Sequence, residues 1–388
     1  MTALIAGYAR TPFVKFTGSF ASVPATALGA HAIRAALARA GVAPDAVDQV
    51  LGGQVVQAAA GQNPARQAAV GAGIPLTVPA LTLNAVCLSG TLAVAQAARL
   101  IDDGDADIVV TVGQESMSLA PHAWSGSRAG KRYGAVELVD TLEVDGLSDA
   151  FERVSMGAST ETYNSALGLG RREQDEWSAQ SHQRLAASAD FQAGEIEPYE
   201  IPSRRGSTVI GADDGVRPET TADSLGALRP AFSPEGTITA GNSSQITDGA
   251  AAIVLVSERV ALASTPLARV VTSAMVAGPD VSLHAQPANA IRRALERAGR
   301  SSSDLAAVEI NEAFGAVAVH STSVLGVDPA IVNAHGGAIA LGHPIGASGT
   351  RIVGTLARQL AALGAGSLGA AGICGGGGQG AAVLLEAV

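Results

Sequence analysis

Between Ala80 and Asp103 the hydrophobic pattern changes period. From Ala80 to Val86 an apolar run with Thr and Asn interleaved reads as a buried strand. From Ser89 onward Leu92, Ala95, Ala98 and Arg99 fall at helical spacing, and Asp102-Asp103-Gly104 closes that element. Gly90 is expected to allow a tight turn, and Ser89 to cap the first exposed amides. Cys87, at the joint, stands beside a helix N-terminus, where unpaired N–H groups favour an anion and lower a thiol pKa. On this segment two readings stay open: a nucleophile, or a small hydrophobe packed in the core.

The same reading along the chain gives strands at Ile5–Ala9, Val47–Val55 and Ile108–Gly113, and helices at Ala27–Ala40, stopped by Gly41, and at Pro64–Val70. Ala250–Ser257 is an apolar strand expected to return to the first sheet. Alternating strands and helices predict an α/β protein with largely parallel pairing and helices outside.

The chain also repeats itself. AIRAALARAG at 32–41 returns as AIRRALERAG at 290–299, identical at eight of ten positions and displaced by 258. Ser89-Gly90-Thr91 returns as Ser348-Gly349-Thr350 at a displacement of 259, with Val94, Ala98 and Arg99 in step with Val353, Ala357 and Arg358. Two matches in nearly one register predict two copies of one α/β unit. The first covers 1–117 plus the returning strand segment 246–267, and the second covers 268–388. An insertion at 118–245 separates them, with irregular Gly/Ser-rich stretches at 125–134 and 203–215 and a helix around Glu173–Ala189. Contact between the two sheets is the expected place for a cleft. In this register Cys87 corresponds to Gly346.

Composition narrows the class. With 388 residues, 47% of them hydrophobic, and 46 glycines, the chain reads as a globular protein of two or more domains, rich in tight turns. Twenty-five basic against 35 acidic side chains leave a formal charge of −10, which argues against nucleic acid as a partner. Two cysteines make no disulfide framework and suggest a reducing compartment. The N-terminus has no basic n-region, and no apolar run approaches the ~20 residues of a membrane span. The expectation is a cytoplasmic protein without a membrane partner.

Three polar constellations follow apolar strands in the second copy. In VEINEAF, at 308–314, Asn311 could hold a water or a carbonyl oxygen; on this segment alone Asn311 reads as a cap and Glu312 as a surface charge. In NAHGGAIALGHPIGASG, at 333–349, His343 is pinned between Gly342 and Pro344, where it can approach a ligand and titrate near neutrality. His335 reads as structural. In CGGGGQG, at 374–380, four glycines behind Cys374 imply positive φ or bare amides, the makings of an oxyanion hole. A P-loop is excluded because no Lys-Ser/Thr follows, and no C-x-x-C spacing supports a metal.

NAVCLSG at 84–90, NEAF at 311–314, GGAIALGHPIGASG at 336–349 and CGGGGQG at 374–380 together resemble the thiolases, in order and over essentially the whole chain. Gln114 to Ser118 leading to Ala120-Pro121-His122, and Met156-Gly157 followed by Thr160-Glu161, resemble the acetyl-CoA acetyltransferase branch. The resemblance implies a duplicated αβαβα layered architecture with an inserted loop domain. It implies condensation of two acetyl-CoA to acetoacetyl-CoA and CoA, and the reverse thiolysis, with Cys87 as acylated nucleophile, His343 as its base and Cys374 as acid and base. His343 and a water on Asn311 would form one oxyanion site, and the amides of Cys87 and Gly376 the other. CoA and acyl-CoA are implied as substrates, with no tightly bound cofactor and no metal. Their site is implied at Arg217 near the adenine, Leu147, Ser155 and Met156 along the arm, and Ala240 and Ser244 at the pantetheine, with Ala313 and Phe314. Ser155 departs from the histidine common in biosynthetic members, and Leu283 to Gln286 departs from a Met-Gly segment of many relatives. Asn242 to Gln245 resembles degradative 3-oxoacyl-CoA thiolases, the alternative reading. A ketosynthase-type enzyme would lack Cys374, and a non-catalytic CoA- or lipid-binding relative would lack one of Cys87, His343 and Cys374. The segment Ala123–Leu142 resembles a tetramerisation loop, so a homotetramer is expected.

Overall fold

The structure, a computed structural model, describes residues 2–203 and 206–388. The first copy runs β1 (Ala3–Arg10), the short β2 (Val14–Lys15), α1 (Ala25–Ala40), β3 (Gln49–Gly53), α2 (Pro64–Gly71), β4 (Ala80–Leu83), α3 (Ser89–Asp103) and β5 (Ile108–Glu115). The insertion holds two hairpins, β6 (His122–Ala123) with β7 (Val139–Asp140) and β8 (Tyr199–Ser203) with β9 (Gly206–Ile210). Its helices are α4 (Met156–Asn164), α5 (Arg171–Ala187), α6 (Ala189–Ala193) and α7 (Ala222–Gly226), and β10 (Thr247–Ser257) leads out of it. The second copy is β11 (Ala268–Ala277), α8 (Gln286–Ala298), β12 (Leu305–Ile310), α9 (Gly315–Leu325), α10 (Ala338–Leu341), α11 (Ile345–Leu363), β13 (Leu368–Gly375) and β14 (Gln379–Ala387). Within the stretch 203–215, Arg204 and Arg205 lie outside the described residues.

Apart from β2, which pairs with β10 to one side, and the two hairpins, the strands form one continuous path, β4-β3-β5-β10-β1 and then β11-β14-β13-β12. The halves meet edge to edge where Leu4 and Ile5 pair with Arg269 and Ala268. Largely parallel pairing does not hold. Among the described residues only β3 with β4 and β5, and β12 with β13, are parallel strand pairs; β1, β10, β11 and β14 run antiparallel to their neighbours. The reason lies in the connections: β10 arrives from the insertion rather than from a crossover helix, and β13 reaches β14 through a tight turn that only antiparallel partners can share.

The repeated AIR helices α1 and α8 end alike, at left-handed Gly41 (φ 66°) and Gly299 (φ 64°), and pack on the outer faces of their own half-sheets. Helices α3 and α11 lie between the half-sheets, each touching strands of both, which gives the order helix, sheet, helix, sheet, helix. Helix α11 buries Ile352, Val353, Leu356 and Leu360 completely or nearly so, in one cluster with Val94 and Ala97 of α3 and strand residues from both copies. The space between the sheets is therefore filled, and the expected cleft survives only at the N-terminal ends of these two helices.

Their crossing explains the repeated Ser-Gly-Thr. A Cβ on Gly90 would stand 2.5 Å from the Thr350 nitrogen, and one on Gly349 would stand 2.4 Å from the Thr91 nitrogen. Position 90 meets 350 as 349 meets 91, the reciprocity of a pseudo-twofold axis through two bare backbones. The insertion is anchored to this core by the fully buried Arg10, which pairs with Glu195 at 3.1 Å and Asp213 at 2.7 Å. Among the described residues no helix is long and apolar enough to cross a membrane.

Candidate active site

At the N-terminal ends of α3 and α11 a cavity of about 270 Å³ is lined by Cys87, His343 and Cys374 together with residues of the insertion. The chain passes from β4 into α3 through Val86, whose φ of 52° is rare for a β-branched residue. Asn84 Oδ1 accepts from the Val86 amide at 3.0 Å, while Ser89 Oγ accepts from the Ala85 amide at 2.9 Å and donates to the Val86 carbonyl at 2.6 Å. Two expectations are corrected here. Ser89 closes the turn instead of capping the helix, and the strained turn falls on Val86, while Gly90 is required by the helix crossing.

The expected lowering of the Cys87 pKa is also overturned. Burial pushes the thiol up to about 12, with a further contribution from Glu115, against the opposing pull of the Cys87 and Gly376 amides on the sulfur. Desolvation of the anion outweighs the helix end. Glu115 is itself buried and accepts from the amides of Gly346 (2.9 Å), Val55 (3.0 Å) and Val56 (3.2 Å). Desolvation raises its carboxyl to about 8. It ties the start of α11 to the loop after β3.

His343 stands between α10 and α11, with its amide donating to the Gln245 carbonyl at 2.9 Å. Its Nδ1 lies 2.6 Å from Ser348 Oγ, whose single proton has the Pro344 carbonyl as acceptor at 3.1 Å. The network therefore assigns the proton to Nδ1 and leaves the lone pair on Nε2, which faces Asn311 Nδ2 at 3.4 Å. Burial and then the positive charge of Arg351 depress the imidazole to about 3.

Asn311 and Glu312, read on their segment alone as a cap and a surface charge, are both buried. The Asn311 amide donates to the Gly372 carbonyl at 3.0 Å, fixing it at the end of β12, and its Oδ1 is a buried acceptor without a partner, as a water-binding atom requires. Glu312 accepts from Trp177 Nε1 (2.9 Å), Ser181 Oγ (2.7 Å), Asn333 Nδ2 (2.9 Å) and the Ile339 amide (3.1 Å). It clamps α5 to the segment that leads to His343. His335 bonds Ser188 at 2.9 Å and stacks on Phe191, a structural role.

Cys374 stands one residue before the end of β13 with its side chain buried, and burial together with the neighbouring Cys87 pushes its thiol up. Behind it Gly377 (φ 76°) and Gly378 (φ 68°) form the turn into β14, and a Cβ on Gly378 would stand 1.9 Å from the Asp280 carbonyl oxygen. The glycine run thus serves a turn that only glycine can make, and it leaves the Gly376 amide directed at Cys87.

Of the residues implied along the CoA arm, Leu147, Ser155, Met156, Ser244, Ala313 and Phe314 line the cavity. Ser155 also caps α4, accepting from the Ala158 amide at 3.2 Å. Arg217 and Ala240 are exposed and lie outside the lining. Sequence reading missed Met117, Phe232 and Ile345, which also face the cavity. Phe232 lies over Gly157 and edge-on to Phe314, and nothing in its irregular surroundings signals this. Leu283, flagged only as a departure, is a cavity wall.

Residues 3–259 match the family model of the thiolase N-terminal domain, and residues 264–387 that of the thiolase C-terminal domain. A probable acetyl-CoA acetyltransferase of Mycolicibacterium smegmatis is 52% identical over 99% of this chain and 100% of its own length. The acetyl-CoA acetyltransferase of Chromobacterium violaceum is 47% identical over 100% of both chains. The crystal structure of the Bacillus anthracis acetyl-CoA acetyltransferase superposes with a TM-score of 0.95 at 35% identity, covering 100% of this chain and 99% of that one. Two family models in tandem, relatives aligned from end to end and the same fold throughout lead to one conclusion: the chain belongs to the thiolase family.

Proposed function

We propose that this protein is an acetyl-CoA C-acetyltransferase, joining two acetyl-CoA into acetoacetyl-CoA and CoA and running the reverse thiolysis through an acyl-cysteine. The observation that carries the reading is the convergence of Cys87, a bare His343 Nε2 and Cys374 on one cavity. Full-length relatives that bear this activity in their names support it.

Burial raises both thiols and lowers the imidazole, which keeps all three neutral, so deprotonation of Cys87 accompanies attack on the thioester rather than preceding it. Cys87 Sγ attacks the carbonyl carbon, its proton passes to His343 Nε2, and the amides of Cys87 and Gly376 receive the oxyanion. The C–S bond to CoA breaks and the departing thiolate takes the proton of Cys374. Cys374, now a thiolate, removes a proton from the methyl of the second acetyl-CoA. Its enolate oxygen is met by the proton on His343 Nε2 and by a water on Asn311. The enolate carbon attacks the acyl-enzyme, Cys87 leaves as thiolate, and His343 returns its proton. Protons balance over the cycle, and the sequence needs no resident cofactor or metal.

The CoA arm runs past Leu147, Ser155, Met156, Ser244, Ala313 and Phe314, with Ala240 and Arg217 farther out toward the nucleotide. Asn242, which suggested the degradative alternative, is spent on Asp175 at 2.9 Å and the Thr237 carbonyl at 3.0 Å. The protein works as a cytoplasmic homotetramer. Exposed apolar side chains on the 123–142 segment, Tyr133 at 94% and Leu138 at 54%, support that assembly.

The test is thiolysis of acetoacetyl-CoA with CoA, followed by loss of the enolate absorbance. Decay is expected with the parent protein and not with Cys87→Ala. No decay at micromolar parent enzyme sinks the activity, and equal decay in the variant sinks the nucleophile. Light scattering showing only monomer sinks the assembly.

A further inference from the structure

Behind the catalytic groups, away from the cavity, lies a buried ion pair that the reaction does not use. Arg351 Nη1 donates to Glu309 Oε2 at 3.0 Å, and both side chains are 1% exposed or less. Arg351 Nε and Nη2 and Glu309 Oε1 are buried with no hydrogen-bond partner among the described residues. Glu309 shares its strand face with Ala307, which packs in the central cluster, and not with Val308 and Ile310, which pack in the outer one. It therefore points into the helix layer. Tyr8 of β1, whose ring lies on Gly354, and Thr355, one turn beyond Arg351, bring hydroxyls to the same space.

Such a pair is a poor source of stability, because desolvating two charges offsets their attraction and each orphaned N–H adds a cost. Its placement is informative. Arg351 sits three residues after Ser348, on the helix whose first turn orients His343, and Glu309 sits two residues before Asn311. The pair thus spans the two elements that carry the two halves of one oxyanion site. The unpartnered atoms, two donors and one acceptor beside two hydroxyls, suit ordered water.

We propose that Arg351, held by Glu309 and a cluster of buried water, is a positioning residue that fixes α11 against β12 and so sets His343 Nε2 against Asn311. Its fixed charge also faces the imidazole and disfavours the imidazolium, in the direction of the depressed His343 pKa. Among the described residues, charged or titratable groups near the pair include Tyr8 of β1 with Arg10 beside it, Glu195 of the insertion and Glu312 after β12, while Cys87 and Cys374 share the cavity with His343. This inference rests on the thiolase reading, and activity of the parent enzyme is its control.

The experiment compares Arg351→Met, Arg351→Lys and the charge-neutral pair Arg351→Met/Glu309→Leu, the last in case the single variant does not fold. For Arg351→Met or the pair, kcat for thiolysis is expected to fall on the order of 10-fold to 100-fold with KM within about threefold, because a displaced catalytic group costs rate rather than binding. In Arg351→Met the acid limb of the kcat profile is expected to move up by about one pH unit, and Arg351→Lys is expected to retain most of the parent's rate. NMR titration of His343 in the substrate-free protein reads the same shift without turnover. A folded Arg351→Met with the parent's pH profile and His343 titration, a folded pair with the parent's kcat, or a loss confined to KM, overturns the proposal while leaving the thiolase reading intact. An inactive parent enzyme overturns both.

Discussion

One methyl group at the helix crossing tests how the site is built. A Cβ added at Gly349 would stand 2.4 Å from the Thr91 nitrogen and 2.6 Å from Thr91 Oγ1, where ordinary contact begins at 3.4 Å, so the helices must part by 3.4 − 2.4 = 1.0 Å. The nearer obstacle, the Thr91 nitrogen, is backbone of α3, so rotating the Thr91 hydroxyl away relieves only the second contact. Helix propensity favours the substitution by about 1 kcal/mol, and overpacking opposes it by roughly 1–3 kcal/mol. Net destabilisation is about 0–2 kcal/mol, a drop in Tm of at most about 2–3 °C for a chain of this size. The larger effect is on rate. Cys87 precedes α3, and His343 is oriented by Ser348 on α11, so a 1 Å separation displaces nucleophile from base and costs about 10²-fold in kcat. Gly349→Ala is measured by thiolysis kinetics and thermal denaturation beside Gly226→Ala, whose Cβ meets nothing within 4 Å. Parent kcat with an unchanged or raised Tm in Gly349→Ala would refute the reasoning.

Ser348→Ala removes the hydroxyl that holds the Nδ1 proton of His343; kcat should fall on the order of 10²-fold with KM nearly unchanged, and an unchanged kcat in steady-state assays would show that the tautomer is fixed by something else. Acid sensitivity follows from three buried histidines, His343 depressed to about 3 and His182 and His284 to about 4, all chiefly by burial. Between those values and 6.5 the unfolded chain binds protons that the folded one refuses, so their stability contribution is complete above pH 6.5 and is lost as pH falls. Unfolding free energies from urea titrations should drop from neutral pH toward about pH 5, with a slope approaching about 1.4 kcal/mol per pH unit for each group below 6.5, and His284→Asn should flatten that slope. A slope unaltered in His284→Asn would remove His284 from the account.

Much of the design is written in the chain. The change of period at Cys87, the repeat displaced by 258 and 259 residues, and the polar turns at 311, 343 and 374 come from local patterning and from motif order. They give the duplicated architecture and the residues that meet in the cavity, because a strand end or a helix start fixes where its neighbours point. What the chain could not reveal depends on distant partners. Glu312 reads as a surface charge until Trp177, Ser181 and Ile339 surround it, and the Cys87 thiol reads as acidified until burial is counted. Gly90 reads as a turn residue until Gly349 is found across the axis, and Phe232 has no pattern at all until Gly157 and Phe314 receive its ring. Backbone conformation and period are properties of a segment, and one sequence determines them. Desolvation, charge pairing and close approach depend on what the rest of the fold places within a few ångströms, and only the tertiary structure decides them.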